Sequence, residues 1–430
     1  MKHLYIKLFV LSVFLFSYCD RYEENINIKT YKNPIKIGYL STYSVERMAA
    51  ENQYLADYLA VEEINSHGGI NGRDLQIVSF DDGGSDIKGV QSATKMNNSG
   101  IKIILGADWS DVSIAVAEKV TIPNNMLQIS YSSTSPALST LQDKNLFWRT
   151  APSDVFQGKI GAEYCFYALG KRKVSILSSD NLWASGLSNV FYNSFINLGG
   201  TVTKFVYYPD LPVDEIDAFD YTPYLDSVFS GKPDLVYFAV FPTEGAKIAN
   251  DILRNNYITN SYKPLFFSND GIRSDYFILN SNKTITDLIM GTAPGTSTSD
   301  PNFKKFSEKF YNCYNFDPVM YGAEIYDAVY CLAYAMLKGG GTDNPVEIAK
   351  HLKQISDGNE NPNATLINVN EFDKGKDVIS KGFDINYDGA SGKIDFDMNG
   401  DPGSGTYVIW RIKNGTFVPD TVISFPKFKL

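Results

Sequence analysis

The stretch "NQYLADYLAVEEINSHGGINGRDLQIVSF", residues 52–80, decides the fold class of this chain. Four residues recur in it at helical spacing before a Gly-Gly pair ends the pattern: Tyr54, Tyr58, Val61 and Ile64. The run "DLQIVSF" at the end of the stretch is typical of a β-strand, as is "IKIGYL" at residues 35–40. The sequence therefore starts with a strand–helix–strand pattern.

The alternation of strand and helix patterns continues along the chain. Further apolar strand patterns are "IKIIL", "MLQIS", "KVSIL", "DLVYFAV" and "PLFFS", and helical patterns such as "TEGAKIANDILRNN" lie between them. After "LFWRTAPSD", residues 146–154, the alternation restarts, which indicates a second unit. Strands that alternate with helices through short loops form parallel sheets covered on both faces. Because 430 residues exceed one compact core, we predict two doubly wound α/β domains.

Composition and motifs exclude several classes of protein. Hydrophobic residues make up 44% of the chain and charged residues 20%, which is typical of a globular protein. The formal net charge of −10 disfavours nucleic acid and anionic membrane as main partners. The sequence contains no CxxC, HExxH, P-loop or G-x-S-x-G motif, and its three histidines indicate no nucleophile–base pair. We therefore predict that the protein is not an enzyme and needs no cofactor.

The N-terminus predicts export. Lys2 and Lys7 form a basic region, and the apolar run at residues 8–16 is shorter than the ~20 residues needed to span a bilayer. Cys19 follows directly, an arrangement that resembles the lipobox of a bacterial lipoprotein signal. Tyr18 stands where that pattern has a small residue, so an ordinary signal with an incidental cysteine is the alternative.

We predict a lipoprotein-type signal over residues 1–19, lipidation at Cys19 and a polar tether over residues 20–33. The mature protein would then be extracytoplasmic, in the periplasm or at the cell surface. Its lipid would attach it to a bacterial membrane.

The remaining cysteines are odd in number, which rules out a full disulfide framework: Cys165, Cys313 and Cys331. A bond between Cys313 and Cys331 is one alternative. Burial of all three as small apolar side chains is the interpretation we favour.

The segment "DINYDGASGKID", residues 384–395, resembles a calcium loop in the spacing of Asp384, Asn386 and Asp388. Its closing position holds Asp395 instead of a bidentate Glu, and no helix pattern flanks the segment. We therefore predict a glycine-punctuated connection between strands and no metal site.

Polar and aromatic side chains follow the predicted strands, at the edge where open α/β sheets bind ligands. They are Trp109, Ser110, Ser133, Thr134, Trp183, Phe241 and Asp270. Hydroxyls at helix starts, beside free backbone N–H groups, suit a carboxylate, and Asp270 suits a cation. Aromatic rings form apolar walls. Together these residues predict a site for a zwitterion with an apolar side chain, such as an amino acid.

Each of these residues also has a purely structural interpretation. Ser110 and Thr134 can cap or start helices, and Asp270 before Gly271 is typical of a turn. Aromatic side chains are individually more typical of a core than of a ligand site. The shared location of these residues at strand ends of two units favours the ligand site.

From about Ile35 to Val418 the chain resembles the leucine/isoleucine/valine-binding family, the branched-chain amino-acid type of ABC-transporter substrate-binding protein. The landmarks, in order, are "LAVEEINSHGGINGRDLQIVSFDD", "SSTSPALS", "FWRTAPSDVFQGK", "PDLVYFAV", "FFSNDG", "YGAEIYDAVYCLA" and "GASGKIDFDMNGD". The segment "STYSVE" replaces the "PLTG"-like turn with which the family opens.

The resemblance implies two Rossmann-like, doubly wound lobes joined by a three-crossover hinge, which is the type I periplasmic binding protein fold. Lobe I would comprise residues 34–151 and 292–394. Lobe II would comprise residues 152–291 and 395–430. The two lobes would close on a ligand like a hinged trap.

The resemblance also implies a role for each candidate residue. Ser110 and Thr134 would hold the α-carboxylate of the ligand, with backbone groups of Ser133 beside them, and Asp270 would neutralise the α-ammonium. The aromatic residues would enclose the rest of the ligand: Trp109 in the side-chain pocket, Trp183 from lobe II across the ligand, and Phe241 and Tyr321 as further walls.

The function implied is capture of an amino acid, with an apolar or branched-chain side chain, by a monomer that delivers it to the membrane permease of an ABC importer. A ligand-sensing receptor of the same fold is the alternative from another class. An amide, urea or an aromatic acid is an alternative ligand.

Overall fold

A computed structural model of the chain describes residues 30–356 and 361–425. Two large sheets each form the centre of a lobe; we call the lobe with the five-stranded sheet lobe I and the one with the seven-stranded sheet lobe II. The predicted signal with Cys19, and the predicted tether up to residue 29, lie outside the described residues. In the described ranges, no helix combines the length and the apolar character that crossing a membrane requires.

The first part of the chain builds the sheet of lobe I. Its strands are β1 (Ile35–Ser41), β2 (Leu75–Asp81), β3 (Ile103–Leu105), β4 (Leu127–Ser130) and β5 (Phe147–Arg149). They pair in parallel in the order β2-β1-β3-β4-β5. The helices between them are α1 (Arg47–Ser66), α2 (Asp86–Asn98) and α3 (Ser110–Val116), and α3 continues as a π-helical turn over Ala117–Thr121.

The chain then builds lobe II. The strands are β6 (Lys173–Ser179), β7 (Thr201–Tyr208), β8 (Leu235–Ala239), β9 (Leu265–Ser268) and β10 (Ile289–Pro294). The helices are α4 (Asp154–Glu163), α5 (Leu182–Asn197), α6 (Thr222–Ser230), α7 (Pro242–Arg254), α8 (Asp275–Asn280) and α9 (Lys283–Thr286). These five strands are parallel, in the order β10-β9-β8-β6-β7.

The last part of the chain serves both lobes. It returns to lobe I with α10 (Pro301–Tyr314), α11 (Gly322–Lys338), α12 (Pro345–Leu352) and α13 (Phe372–Ser380). The same part of the chain forms a small sheet of β11 (Thr365–Ile367), which precedes α13, and of β12 (Ile385–Gly389) and β13 (Gly392–Lys393), which follow it. The hairpin of β14 (Gly405–Lys413) and β15 (Thr416–Phe425) then extends the lobe II sheet, with β14 antiparallel to β10.

Helices cover both faces of each large sheet, because successive residues of a buried strand point to opposite faces. In β3, Ile103 and Leu105 join a core with α1 and α11, whereas Ile104 joins a second core with α2 and α3. In β8, Phe238 joins a core with α6 and α7, and Tyr237 one with α4 and α5. The predicted α/β architecture with two doubly wound lobes is confirmed.

The chain passes between the two sheets three times: after β5, after β10 and between β13 and β14. The domain boundary predicted between residues 291 and 292 falls inside β10. Thr292, Ala293 and Pro294 still pair with β14, so the second crossover begins after Pro294.

The structure also bears on the predictions for cysteines and calcium. Cys165 and Cys331 are free, buried thiols, so the alternative bond between Cys313 and Cys331 is wrong. The calcium-like segment forms the β12–β13 hairpin, in which Gly389 is paired with Gly392. No cluster of metal-ligating side chains occurs among the described residues.

Candidate ligand-binding site

Three aromatic rings stack across the boundary between the lobes. Trp109, which follows β3 in lobe I, lies against Phe241 of lobe II with ring centroids 4.4 Å apart and planes inclined by 13°. Phe241 in turn stacks on Trp183 at 4.6 Å and 22°. Such aromatic pairs contribute about 0.5–1.5 kcal/mol beyond the area they bury. The structure thus brings three of the four predicted aromatic residues together at the contact between the lobes.

Trp183 also covers the turn that carries Asp270. A β-carbon added at Gly271 would lie 2.2 Å from Trp183 Cη2 and 2.8 Å from the carbonyl oxygen of Val240. Only glycine fits beneath the indole ring, so packing against Trp183 explains why glycine follows Asp270. The sequence alone attributes this Asp-Gly pair to a turn as well. Trp183 itself is 4% exposed.

The hydroxyls predicted for the carboxylate lie in lobe I, where α3 and the loop after β4 begin. Ser110 is the first residue of α3, and its Oγ accepts a hydrogen bond from the Ser135 N–H at 3.1 Å. The N-cap position of α3 is Trp109, so the alternative in which Ser110 is the N-cap is wrong. Thr134 Oγ1 lies 2.9 Å from Asp154 Oδ2. Ser110 and Thr134 are both buried.

Ser133 faces the interior of lobe I. Its Oγ donates to Ser113 Oγ at 2.8 Å, and its N–H donates to Ser130 Oγ at 3.0 Å. Its carbonyl oxygen accepts a hydrogen bond from Arg149 Nη1 at 3.2 Å. Both backbone groups of Ser133 thus have partners within the protein, and their contact with a ligand stays a prediction.

Arg149 fixes the backbone on both sides of Thr134. Its Nη1 donates to the carbonyl oxygens of Ser133 and Ser135, the latter at 3.0 Å. Its Nε and Nη2 form a bidentate ion pair with Asp401, at 2.6 and 2.9 Å. Arg149 is fully buried, and Asp401 belongs to the third crossover. The hinge and the predicted carboxylate loop are therefore held by one guanidinium.

Asp270 lies two residues after the end of β9 in lobe II, and the residue is 7% exposed. Its Oδ1 accepts a hydrogen bond from Gln157 Nε2 at 2.6 Å, and its Oδ2 accepts one from the Tyr321 hydroxyl at 2.7 Å. Tyr321 is the N-cap residue of α11 in lobe I, so this bond crosses the lobes. Burial raises the pKa of Asp270, whereas the two hydrogen bonds and the charge of Arg273 lower it. Among the described residues, none forms an ion pair with Asp270.

Two polar residues of this site were not predicted from the sequence. Asp154 is the first residue of α4, and Gln157 follows one turn later. Both are fully buried, and Asp154 Oδ1 and Gln157 Oε1 have no hydrogen-bond partner among the described residues. The sequence pattern that could have identified them is in "FWRTAPSDVFQGK", where Asp154 and Gln157 are three positions apart and so share a face of the helix that begins there. An aspartate after Ser153, however, is also typical of any helix start.

The strand ends of lobe I carry further carboxyl groups beside Trp109. Asp108 follows β3, and its Oδ1 accepts a hydrogen bond from Ser132 Oγ at 2.7 Å. Burial raises the pKa of Asp82 to about 7 and that of Glu46 to about 7, and the charge of Asp108 contributes to both shifts. This end of lobe I is therefore acidic.

A separate groove of about 430 Å³ lies beside α3. Its lining residues are Ile114, Glu118, Ile122, Ala137, Thr140, Leu141, Gln142 and Leu182. The walls are mostly apolar and contain one charged group, so they offer no recognition for a zwitterion. We therefore place the candidate ligand site at the strand ends.

Comparisons with known proteins identify the family of the chain. Residues 52–415 match the family described as receptor family ligand binding region. The Leu/Ile/Val-binding protein BraC3 of Rhizobium johnstonii is 27% identical over 335 residues, which cover 78% of this chain and 86% of that protein.

Two solved structures resemble the chain along most of its length. A leucine-binding protein of Thermotoga maritima has a TM-score of 0.74 at 22% identity, covering 90% of this chain and 98% of that one. A branched-chain amino acid transporter substrate-binding protein of Streptococcus pneumoniae, in complex with isoleucine, has a TM-score of 0.71 at 20% identity. The match covers 91% of this chain and 99% of the Streptococcus protein.

These findings confirm the resemblance predicted from the sequence. The relatives are binding proteins, which agrees with the prediction that this chain is not an enzyme. The family match includes strands and helices of both lobes. The chain belongs to the family of receptor ligand-binding regions and has the fold of a type I periplasmic binding protein.

Proposed function

We propose that the protein captures an amino acid between its lobes and delivers it to the membrane permease of an ABC importer. The observation that carries the proposal is the environment of Asp270, a buried carboxylate hydrogen-bonded to Gln157 and Tyr321 and without an ion pair among the described residues. The charge of Arg273 acts on Asp270, but the two form no ion pair. A buried charge without a direct partner is costly, and the ammonium of a ligand would supply that partner. Ser110 and Thr134 would bind the ligand's carboxylate from lobe I.

Capture would proceed by closure of the lobes. The carboxylate would bind first to lobe I, and closure would then bring Asp270 and Trp183 of lobe II across the ligand. Closure removes water from the pair formed by the ammonium and Asp270, and this attraction strengthens as the local dielectric constant falls. A ligand that contacts both lobes therefore shifts the equilibrium toward the closed form.

An apolar, branched-chain side chain is the ligand type we favour. The stacked rings of Trp109, Phe241 and Trp183 offer apolar walls, and the relatives' names refer to leucine, isoleucine and valine. An aromatic acid is the second candidate, because flat rings stack well on flat walls. It would leave Asp270 without a cation, and so would urea or a simple amide.

A thermal-shift panel tests the proposal. The panel contains the twenty amino acids, benzoate, urea and acetamide, each with the purified mature protein. A ligand at about 100 times its dissociation constant adds about 2.7 kcal/mol to the free energy of unfolding, which raises Tm measurably. We expect leucine, isoleucine or valine to give the largest increase. The proposal fails if only benzoate, urea or acetamide raises Tm.

The variant Asp270→Asn tests the role of the carboxylate. Removing one partner of a desolvated charge pair costs about 2–5 kcal/mol, so affinity for the amino acid should fall at least about 30-fold. Asp57→Asn is the matched control, because Asp57 is a fully buried carboxyl on α1 outside this site. Unchanged affinity in Asp270→Asn, measured by isothermal titration calorimetry, would contradict the assigned role.

The location and the partner are also part of the proposal. The protein would act as a monomer outside the cytoplasm, and lipidation at Cys19 would hold it at the membrane. Incorporation of labelled palmitate into the wild type but not into Cys19→Ser tests the anchor. Uptake of the labelled amino acid by cells that lack the protein, compared with the wild type, separates transport from sensing.

A further inference from the structure

Asp154 lies between the two halves of the proposed site. Its Oδ2 is 2.9 Å from Thr134 Oγ1, on the carboxylate side, and its N–H donates to the Thr134 carbonyl oxygen at 2.9 Å. Its charge would also act on Asp270, on the ammonium side. Asp154 therefore touches the residue that would bind one end of the ligand and neighbours the residue that would bind the other.

The surroundings of Asp154 do not suit an ionised carboxylate. The residue is fully buried, Oδ2 has one contact, and Oδ1 has none among the described residues. Arg149 is a nearby cation, but its donors are bound to Asp401, to Ser139 and to two backbone carbonyls. Burying a carboxylate without donors is unfavourable, whereas a neutral carboxyl needs one acceptor for its proton.

We infer that Asp154 is a positioning residue that carries a proton and donates it in a hydrogen bond to Thr134 Oγ1. This inference rests on the proposed function, because its consequence concerns the ligand's carboxylate. When Thr134 Oγ1 accepts from Asp154, its own hydrogen is free to point at the ligand and donate to the carboxylate. An ionised Asp154 would instead take the Thr134 hydrogen and leave lone pairs facing the ligand.

The charged groups around Asp154 support the neutral form. Burial raises the pKa of Asp154 well above its usual range and the negative charge of Asp270 raises it further, whereas the contact with Thr134 and the charge of Arg149 lower it. Burial raises the pKa of three nearby tyrosine hydroxyls well above 10, and the charge of Asp154 would raise each of them further: Tyr237, Tyr321 and Tyr407. Arg273 and Glu324 lie next to Asp270 and Tyr321. The only cations in this group are Arg149 and Arg273.

Infrared spectroscopy of the unliganded protein tests the proton directly. A neutral carboxylic acid has a C=O stretching band that a carboxylate lacks. At about pH 7, several units above the ordinary aspartate pKa, we expect this band in the wild type and not in Asp154→Asn, so that it appears as a positive band in the difference spectrum of wild type minus Asp154→Asn. Asp57→Asn serves as a control for a second buried carboxyl. Absence of an Asp154 band overturns the inference, whatever the ligand is.

Binding of L-leucine tests the consequence for the ligand. Asp154→Asn can still donate to Thr134 through its amide, so its affinity should stay within about threefold of the wild type. Asp154→Ala removes the hydrogen bond that orients Thr134 and should lower affinity about tenfold. If Asp154 were an ionised second counter-charge for the ammonium, Asp154→Asn would weaken binding as much as Asp270→Asn, and that result would overturn the inference.

The dependence of affinity on pH distinguishes orientation of Thr134 from a merely structural role. Above the pKa of Asp154, the affinity of the wild type relative to Asp154→Asn should fall about tenfold per pH unit, because the ionised form takes back the Thr134 hydrogen. The ligand's own titration cancels in this ratio. If no amino acid in the thermal-shift panel binds at any pH, the proposed function fails, while the infrared band still decides whether Asp154 carries the proton.

Discussion

The ion pair between Arg149 and Asp401 gives the sharpest prediction about stability. The Arg149 side chain is 0% exposed and that of Asp401 is 9% exposed, and the two form hydrogen bonds of 2.6 and 2.9 Å. Asp401→Asn keeps one acceptor oxygen but places an amide donor against a guanidinium donor. It also leaves a buried positive charge without its partner. Breaking a buried ion pair in this way costs about 3–5 kcal/mol.

The assay is urea unfolding followed by circular dichroism, with the free energy of unfolding extrapolated to water. The matched control is Glu51→Gln, which breaks the Arg47–Glu51 ion pair of similar length, 2.7 Å, between side chains that are 80% and 52% exposed. An exposed pair contributes about 1 kcal/mol or less. The two variants should therefore differ by at least about 2 kcal/mol.

The same variant should also weaken ligand binding, because Arg149 holds the carbonyl groups of Ser133 and Ser135 around Thr134. A loss of stability in Asp401→Asn no larger than in Glu51→Gln would refute the argument that the buried pair holds this region. Full stability with weakened binding would show that the pair positions the loop without stabilising the fold.

Three further predictions follow from single contacts. Trp109→Ala removes the stack between Trp109 and Phe241 and should lower affinity about 10-fold, whereas Trp109→Phe should keep most of it; titration calorimetry measures both. Gly271→Ala places a methyl group 2.2 Å from Trp183, so binding should be lost while the circular dichroism spectrum is retained. Burial raises the pKa of Asp57 well above 3.8, so the unfolded chain ionises first as pH rises and stability falls between the two pKa values. Asp57→Asn should therefore raise Tm at neutral pH, and this gain should vanish toward pH 3.8.

Much of the fold could be predicted because its signals are local. Apolar runs such as Leu235–Ala239 and Leu265–Ser268 are buried strands as predicted, since a parallel strand covered on both faces is apolar throughout. The end of β10 could not be found in this way. Thr292 is held there by pairing with Ile409, which lies more than a hundred positions further along the chain.

In the candidate site, too, local features could be predicted from the sequence and contacts between distant residues could not. Asp270 was found because it follows a buried strand, but its partners Gln157 and Tyr321 are 113 and 51 positions away. Tyr321 was predicted as a wall, whereas its hydroxyl donates to Asp270. Asp154 was not predicted as a site residue, because a carboxylate is common at the start of any helix. Its burial and its contact with Thr134 of lobe I are known only from the structure.

The contacts between the lobes bear on how a ligand would control the proposed closure. Contacts between the lobes include the Trp109–Phe241 stack, the bond from Tyr321 to Asp270, the contact of Thr134 with Asp154, and the bond from the Leu182 N–H to Asp111 Oδ1 at 2.9 Å. Each contributes on the order of 1 kcal/mol net, since water can satisfy the polar groups when the lobes separate. A carboxylate has about four lone-pair sites, so an Asp270 that accepts from Tyr321 and Gln157 can still accept from an ammonium. In the proposed function, a ligand would therefore add its interaction to the existing contacts without displacing them, and this added free energy would shift the lobes toward the closed form.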